Sequence, residues 1–319
     1  MLALLGIAVV LLAVFGGFLL ERGNPYVLMQ PAELLIVGGA AIGIVVVANP
    51  PDVMRKMARG AFAAFRPPVH TCHSFLRYLR MLYEVFGFVQ RAGIVDLEND
   101  VENPATSRIF RNYPEFLADQ PTRDFVCDSL RMLVIGVTTP HELDQLMDLD
   151  IEVQRQGRHE PVNGLSTVAD ALPGLGIVAA VLGVVITMEA IGGAPETVGE
   201  KIAAALVGTF LGIFGCYGVV GPVAARMENM SGTETQFLQV LRIAIVAFAR
   251  GSSPILAVEY ARRSIPAELR PSFLEMEITI KRDARIPAVP KPGIPEAVPI
   301  PAAPKPSVPE TAHVEVQPA

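Results

Sequence analysis

The side chains able to handle an ion in this sequence are few and sit in apolar surroundings. Between Asp170 and Pro222 the chain reads DALPGLGIVAAVLGVVITMEAIGGAPETVGEKIAAALVGTFLGIFGCYGVVGP. Two apolar segments, about 172–191 and 202–220, flank a short polar turn. Away from their ends, the polar groups are hydroxyls and one thiol: Thr187, Thr209, Cys216 and Tyr217, with Thr209 deepest. A hydroxyl can pass a proton or replace one water around a cation. The site that takes up and releases a proton inside a membrane is normally an ionisable side chain. No Asp, Glu, Lys, Arg or His is expected at mid-depth of any apolar segment in this chain. Two readings follow: the protein conducts nothing, or a partner helix supplies the carboxylate. Thr209 also has an ordinary structural reading, in which its hydroxyl bonds back to the carbonyl of Ala205.

The elements that must position these groups are membrane spans. Each segment is near the roughly 20 residues that a helix needs to cross ~30 Å of hydrocarbon. Small residues recur every three or four positions, at Gly176, Ala179, Ala180 and Gly183 in one segment and Ala204, Gly208, Gly212 and Gly215 in the other. This spacing lets helices approach closely in lipid. Pro173 and Pro222 bracket the pair, and each removes a helical donor and can act as a bend. Residues 2–20 form a further apolar run, and 34–48 another that ends at Asn49-Pro50-Pro51. Arg55, Lys56, Arg59 and Arg66 follow at once, whereas the short loops on the other side hold Arg22 and Lys201. That Lys/Arg asymmetry predicts a cytoplasmic position for Pro50 onwards, and hence for both termini.

The whole chain has 319 residues, 51% apolar, with mean hydropathy +0.42, which excludes a simple soluble enzyme. Net charge is -6 without strong blocks, so no nucleic-acid partner is expected. Three cysteines, irregularly spaced, predict free thiols. Met1 opens directly on an apolar run, so no cleavable leader is expected. The intervening region predicts amphipathic helices over 73–92 and 125–136. A third starts at Thr139-Pro140-His141-Glu142, with Thr139 as cap and Glu142 at the third helical position, and runs to about Arg155. Helix is also expected over 225–250, followed by a more broken stretch. From Pro287 onwards 10 of 33 residues are proline, a composition that reads as a disordered tail. His70, Cys72 and His73 make a weak metal candidate; no P-loop, GxSxG, HExxH or GxGxxG is present, and no cofactor or enzymatic activity is expected.

The expected architecture is therefore an all-α integral membrane protein with four transmembrane helices, a large helical cytoplasmic loop and a disordered proline-rich C-terminal tail. Its parts are 1–50 (spans one and two), 51–169 (cytoplasmic helices), 170–224 (spans three and four), 225–284 (cytoplasmic helices) and 285–319 (tail).

Several stretches resemble the MotA family of flagellar-motor stator subunits: QPAELLIVGGAAIG from Gln30, LENDVENP from Leu97, LPGLGIVAAVLGVV from Leu172, LVGTFLGIFGCYGVVGP from Leu206 and AVEYARRSIPAELRPSF from Ala257. The resemblance covers roughly residues 1–285. It implies five copies of this chain around two copies of a MotB-type, one-span subunit that binds peptidoglycan and carries an essential intramembrane Asp. Ions would cross the bacterial inner membrane between the two, and the cytoplasmic loop would push on the rotor protein FliG. It further implies that Pro173 and Pro222 couple the ion path to movement and that Thr209 lines it, with Ala180 and Tyr217 nearby. Glu98 would contact the rotor. The arginine that accompanies it in the family falls at Gln90, with Arg91 beside it. Sodium-type relatives carry more hydroxyls facing the path. Ala179 and Ala180 therefore point to H⁺ over Na⁺. The related ExbB/TolQ energisers of outer-membrane transport share the paired spans but have three spans in all, and are the alternative reading. A scaffold that conducts nothing is a third.

Overall fold

The computed structural model describes residues 2–67, 70–136, 138–189 and 191–281. The proline-rich stretch expected to be disordered lies outside them. The described chain is helical throughout, in the order α1 (Leu2–Leu20), α2 (Pro31–Ala48), α3 (Pro51–Ala63), α4 (Cys72–Ala92), α5 (Glu98–Glu102), α6 (Pro114–Ala118), α7 (Gln120–Ile135), α8 (Pro140–Met188), α9 (Pro195–Phe214), α10 (Gly221–Ala249), α11 (Pro254–Ser264) and α12 (Phe273–Lys281). A π-helical turn, Gly215–Val220, joins α9 to α10 without a break. Among the described residues four helices are long and apolar enough to cross a membrane: α1, α2, α8 and the α9–α10 rod.

The third span differs from the sequence expectation. The helix that begins at the Thr139 cap does not stop near Arg155. It continues through Pro161 and Pro173 to Met188, 49 residues in all. Thr139 and Glu142 exchange reciprocal cap bonds, at 3.2 and 2.7 Å. The charged run around Arg155 looked like an end because it breaks the apolar stripe. In three dimensions that run meets α10, where Arg158 reaches Glu234 (3.2 Å) and His159 reaches Glu228 (3.2 Å).

Beyond the spans, α4, α7, α10, α11 and α12 close around one core. Its centre is aromatic. Phe237 of α10 lies edge-on to Tyr78 (4.7 Å) and Phe75 (5.4 Å) and flat on the His70 ring (4.0 Å). Near the far end of α10, Phe248 stacks on Phe86 of α4 (4.3 Å). Arg242 holds Asp144 at 2.7 Å and also Asp148, and Arg250 reaches Asp144 at 3.0 Å, tying the start of α8 to the end of α10. All three cysteines are free. Burial pushes the Cys127 thiol up to about 12, so it stays protonated and unreactive.

His70 carries a pH dependence. Burial lowers its basicity below the usual value, so the folded protein holds it neutral while the unfolded chain protonates it near pH 6.5. The unfolded state then binds more protons, and stability falls as pH drops through and below ~6.5. Half-buried Glu234 is shifted upward by desolvation and works in the opposite sense. A His70→Gln variant separates the two. The thermal midpoint in detergent should fall less between pH 7.5 and 5.5 in the variant than in the parent. An equal fall would assign the effect elsewhere.

Candidate functional site

The site is the seam between α8 and α9. Glycines make it close. A Cβ on Gly176 would lie 2.8 Å from the Gly208 carbonyl oxygen and 3.1 Å from the Cα of Gly212. A Cβ on Gly212 would lie 2.5 Å from the Leu172 carbonyl oxygen. Gly183 faces Ala205 in the same way. The seam thus pairs Gly176, Ala179 and Gly183 with Ala205, Gly208 and Gly212. Ala180 and Ala204 are half-buried at its edge.

Thr209 is in the seam, but it does not bond back to Ala205. Its Oγ1 is 3.5 Å from the carbonyl oxygen of Gly176, across on α8, which is a long hydrogen bond. Thr187 does make the local bond, donating to Gly183 at 2.7 Å. Pro173 lies within α8, one residue past the Leu172 carbonyl that packs on Gly212. Its ring leaves the Ala169 carbonyl without its helical donor. Pro222 is the second residue of α10 and exposed. The donor it lacks would have gone to Gly218, inside the π turn. The turn is tight enough that a Cβ on Gly221 would lie 2.8 Å from the Cys216 carbonyl oxygen. Widening to a π turn is a known way for a helix to accommodate a lost bond. Tyr217, on that turn, is 72% exposed. Thr209 therefore lies in the seam, with Pro173 next to its Leu172–Gly212 contact and Ala180 at its rim, whereas Tyr217 and Pro222 sit further along the rod.

Glu33 was missed by the sequence reading. It lies in the first turn of α2, yet it is only 6% exposed. A Cβ on Gly208 would meet its Oε2 at 2.5 Å, and the Ala179 methyl at 2.9 Å. Ala179 is nine residues from Asp170 and ten from Glu189, so this carboxyl is level with the middle of the third span. An acid in a first turn is ordinarily explained by the helix dipole, which hid it. The available signal was periodicity, because Glu33, Val37 and Ala41 form one buried stripe of α2.

Arg91 and Glu98 are elsewhere. Both are exposed, at the end of α4 and the start of α5. Neither has an ion-pair partner among the described residues. The Phe86–Phe248 stack puts them beside the end of α10, which is 29 residues or about 43 Å from its start. Among the described residues no three His, Cys, Asp or Glu side chains, His70, Cys72 and His73 included, are grouped as for a metal ion.

Helices long and apolar enough to cross a membrane, a glycine-lined seam with a buried acid beside it, and rods that continue into a helical bundle describe a multi-pass membrane subunit. The family models agree. Residues 4–93 match the motility protein A N-terminal model, and 117–239 match the MotA/TolQ/ExbB proton channel family. Motility protein A of Salmonella typhimurium is 38% identical over 277 residues, 87% of this chain and 94% of that one. The solved Campylobacter jejuni MotAB superposes with TM-score 0.70 at 19% identity, covering 85% of this chain and 98% of that one. The flagellar MotAB stator complex from Bacillus subtilis superposes with TM-score 0.67 at 22% identity, covering 83% and 96%. The chain belongs to the motility protein A family, the flagellar stator subunits.

Proposed function

We propose that five copies of this protein surround two copies of a MotB-type subunit in the inner membrane, both termini of each copy lying in the cytoplasm. Protons passing between the two subunits turn the ring against the rotor protein FliG. The observation that carries this reading is the continuity of α8 and of the α9–α10 rod. Each joins the seam around Thr209 to a membrane-distal end beside which α4 and α5 present Arg91 and Glu98, exposed and without an ion-pair partner among the described residues. Outside the seam α8 is apolar and exposed, at Ile177, Val181, Val184 and Val185, a surface suited to lipid and to neighbouring helices. Proton rather than sodium use is supported by the methyl side chains at Ala179 and Ala180, where hydroxyls would serve sodium, and by the Thr209 hydroxyl being directed at Gly176. Pro173 and Pro222 act as the bends, and Ala180 and Tyr217 border the path. Co-expression with a one-span partner carrying an intramembrane Asp, in a strain lacking both native subunits, should restore swimming and give proton flux across the membrane. An energiser of outer-membrane transport is less supported, since four helices able to span fit the stator pattern rather than three. Restored outer-membrane uptake without swimming would favour it.

The rotor contact has its own test. Surface ion pairs are each worth about 0–1 kcal/mol, so Glu98→Lys alone should only reduce the swimming rate. Arg91→Glu with Glu98→Lys should reduce it further, with ion flux unchanged, and charge reversals on FliG should restore part of it. Normal swimming of the double variant on soft agar, at normal membrane levels, would move the contact to another part of the distal end.

A further inference from the structure

We propose that this chain holds one anionic phospholipid of the cytoplasmic leaflet, its phosphate on Arg226 and Arg66 and an acyl chain between α1 and α10. The inference goes beyond the stator reading and takes from it only the cytoplasmic placement of residue 50 onwards. A cavity of about 730 Å³ lies where the start of α1, the end of α3 and the junction of the π turn with α10 come together. That is within the ~300–1,000 Å³ of sites that enclose most of a small ligand. α1 runs antiparallel to the rod here. Phe15 packs edge-on to Phe214 (5.7 Å) and Phe210 (6.4 Å), and Ile7 packs against the cluster of Val223 and Met227. Val10 and Gly218 therefore line the membrane end of the cavity, and Arg226 and Asn229 the other. Gly218 to Arg226 is eight residues, or about 12 Å. A Cβ on Gly6, which also lines the cavity, would meet nothing within 4 Å.

Charge selects the occupant. Arg226 Nε is buried and makes no hydrogen bond among the described residues. Arg66, from the turn after α3, lines the same cavity, and no acidic side chain does. Arginines of the bundle behave differently: Arg158 holds Glu234, Arg242 holds Asp144 and Arg262 holds Glu259. Two positive charges over an apolar cavity call for an anion with a hydrocarbon body. A guanidinium binds phosphate through parallel N–H donors, and basic pockets between spans on the cytoplasmic side suit anionic headgroups. The depth agrees. Arg226 is the first charge on the rod after Lys201, 25 residues or about 37 Å further on, which exceeds the ~30 Å of hydrocarbon and puts it at headgroup level. A second copy laying its α1 in the cavity would bring no charge, because Leu2–Leu20 has none, and both arginines would stay unmatched. Pro222 lines the cavity too, so the lipid touches the bend at the start of α10.

The test uses the detergent-purified complex with its partner subunit, titrated with phosphatidylglycerol, phosphatidylethanolamine or inorganic phosphate and read by native mass spectrometry. The parent should retain phosphatidylglycerol about tenfold better than phosphatidylethanolamine, whose ammonium the arginines repel, and should retain no inorganic phosphate. Arg66→Gln with Arg226→Gln should remove most of that preference. Gly6→Leu, which puts a side chain into the cavity, should weaken retention of both lipids. Phosphatidylglycerol with a diazirine in its acyl chain, photolysed on the parent, should mark the peptides that contain Val10 and Val223. Equal retention of the two lipids, a preference unchanged in the double variant, phosphate held as well as the lipid, or photolabel confined to other spans would each overturn the proposal. If the double variant fails to assemble, the photolabel on the parent decides. Retention is read whether or not the complex conducts protons, so a failure of the stator reading is distinguishable from a failure of this one.

Discussion

Gly212→Ala should abolish swimming and deplete the protein from the membrane. The added methyl would lie 2.5 Å from the Leu172 carbonyl oxygen and 2.8 Å from the Cα of Gly176. Both are backbone atoms, so no rotamer change relieves the clash. The helices must separate, and the dispersion contacts that hold them in lipid are lost along the seam. Overpacking a close contact costs about 1–3 kcal/mol, and the rigid partner places this case at the upper end. Gly174→Ala, where nothing lies within 4 Å of the new carbon, is the matched control and should swim normally. Immunoblots of membrane fractions beside soft-agar rates decide the matter. Parental behaviour of Gly212→Ala would mean that the seam is looser than this geometry.

Pro173→Ala should abolish swimming by a different route, making the protein more stable. Alanine restores a donor for the Ala169 carbonyl and removes the ring that crowds it. In a helix interior proline is about 3 kcal/mol less favourable than alanine. The variant should therefore accumulate normally, retain its partner and melt several degrees higher in detergent, yet fail to convert proton flow into rotation. Raised stability with lost motility distinguishes a working bend from a passive one. Normal swimming would show that the bend at Pro173 is structural only.

Much of this fold was legible because lipid imposes simple rules. α1, and α2 over 34–48, follow from uncharged length, and the start of α8 from Thr139, Pro140 and Glu142. The small-residue face was readable as a face, although Ala205 rather than Ala204 meets Gly183. What could not be read was relative depth. Glu33 stands third in its helix, and only the offset between α2 and the α8–α9 pair makes that position level with mid-span. The partner of Thr209 was hidden for the same reason, because a threonine on one helix can be satisfied locally or across, and the choice depends on how near Gly176 comes. The length of α8 was obscured by Pro161, which usually ends a helix. Here the packing of α10 along Arg158 and His159 holds the rod together.

The unbroken course of α8 has a mechanical consequence. From Pro173 to Pro140 the helix extends 33 residues, or about 50 Å, beyond the seam. In a rod of that length a tilt of only ~5° at Pro173 would sweep the far end through about 4 Å, comparable to the reach of a single ion pair.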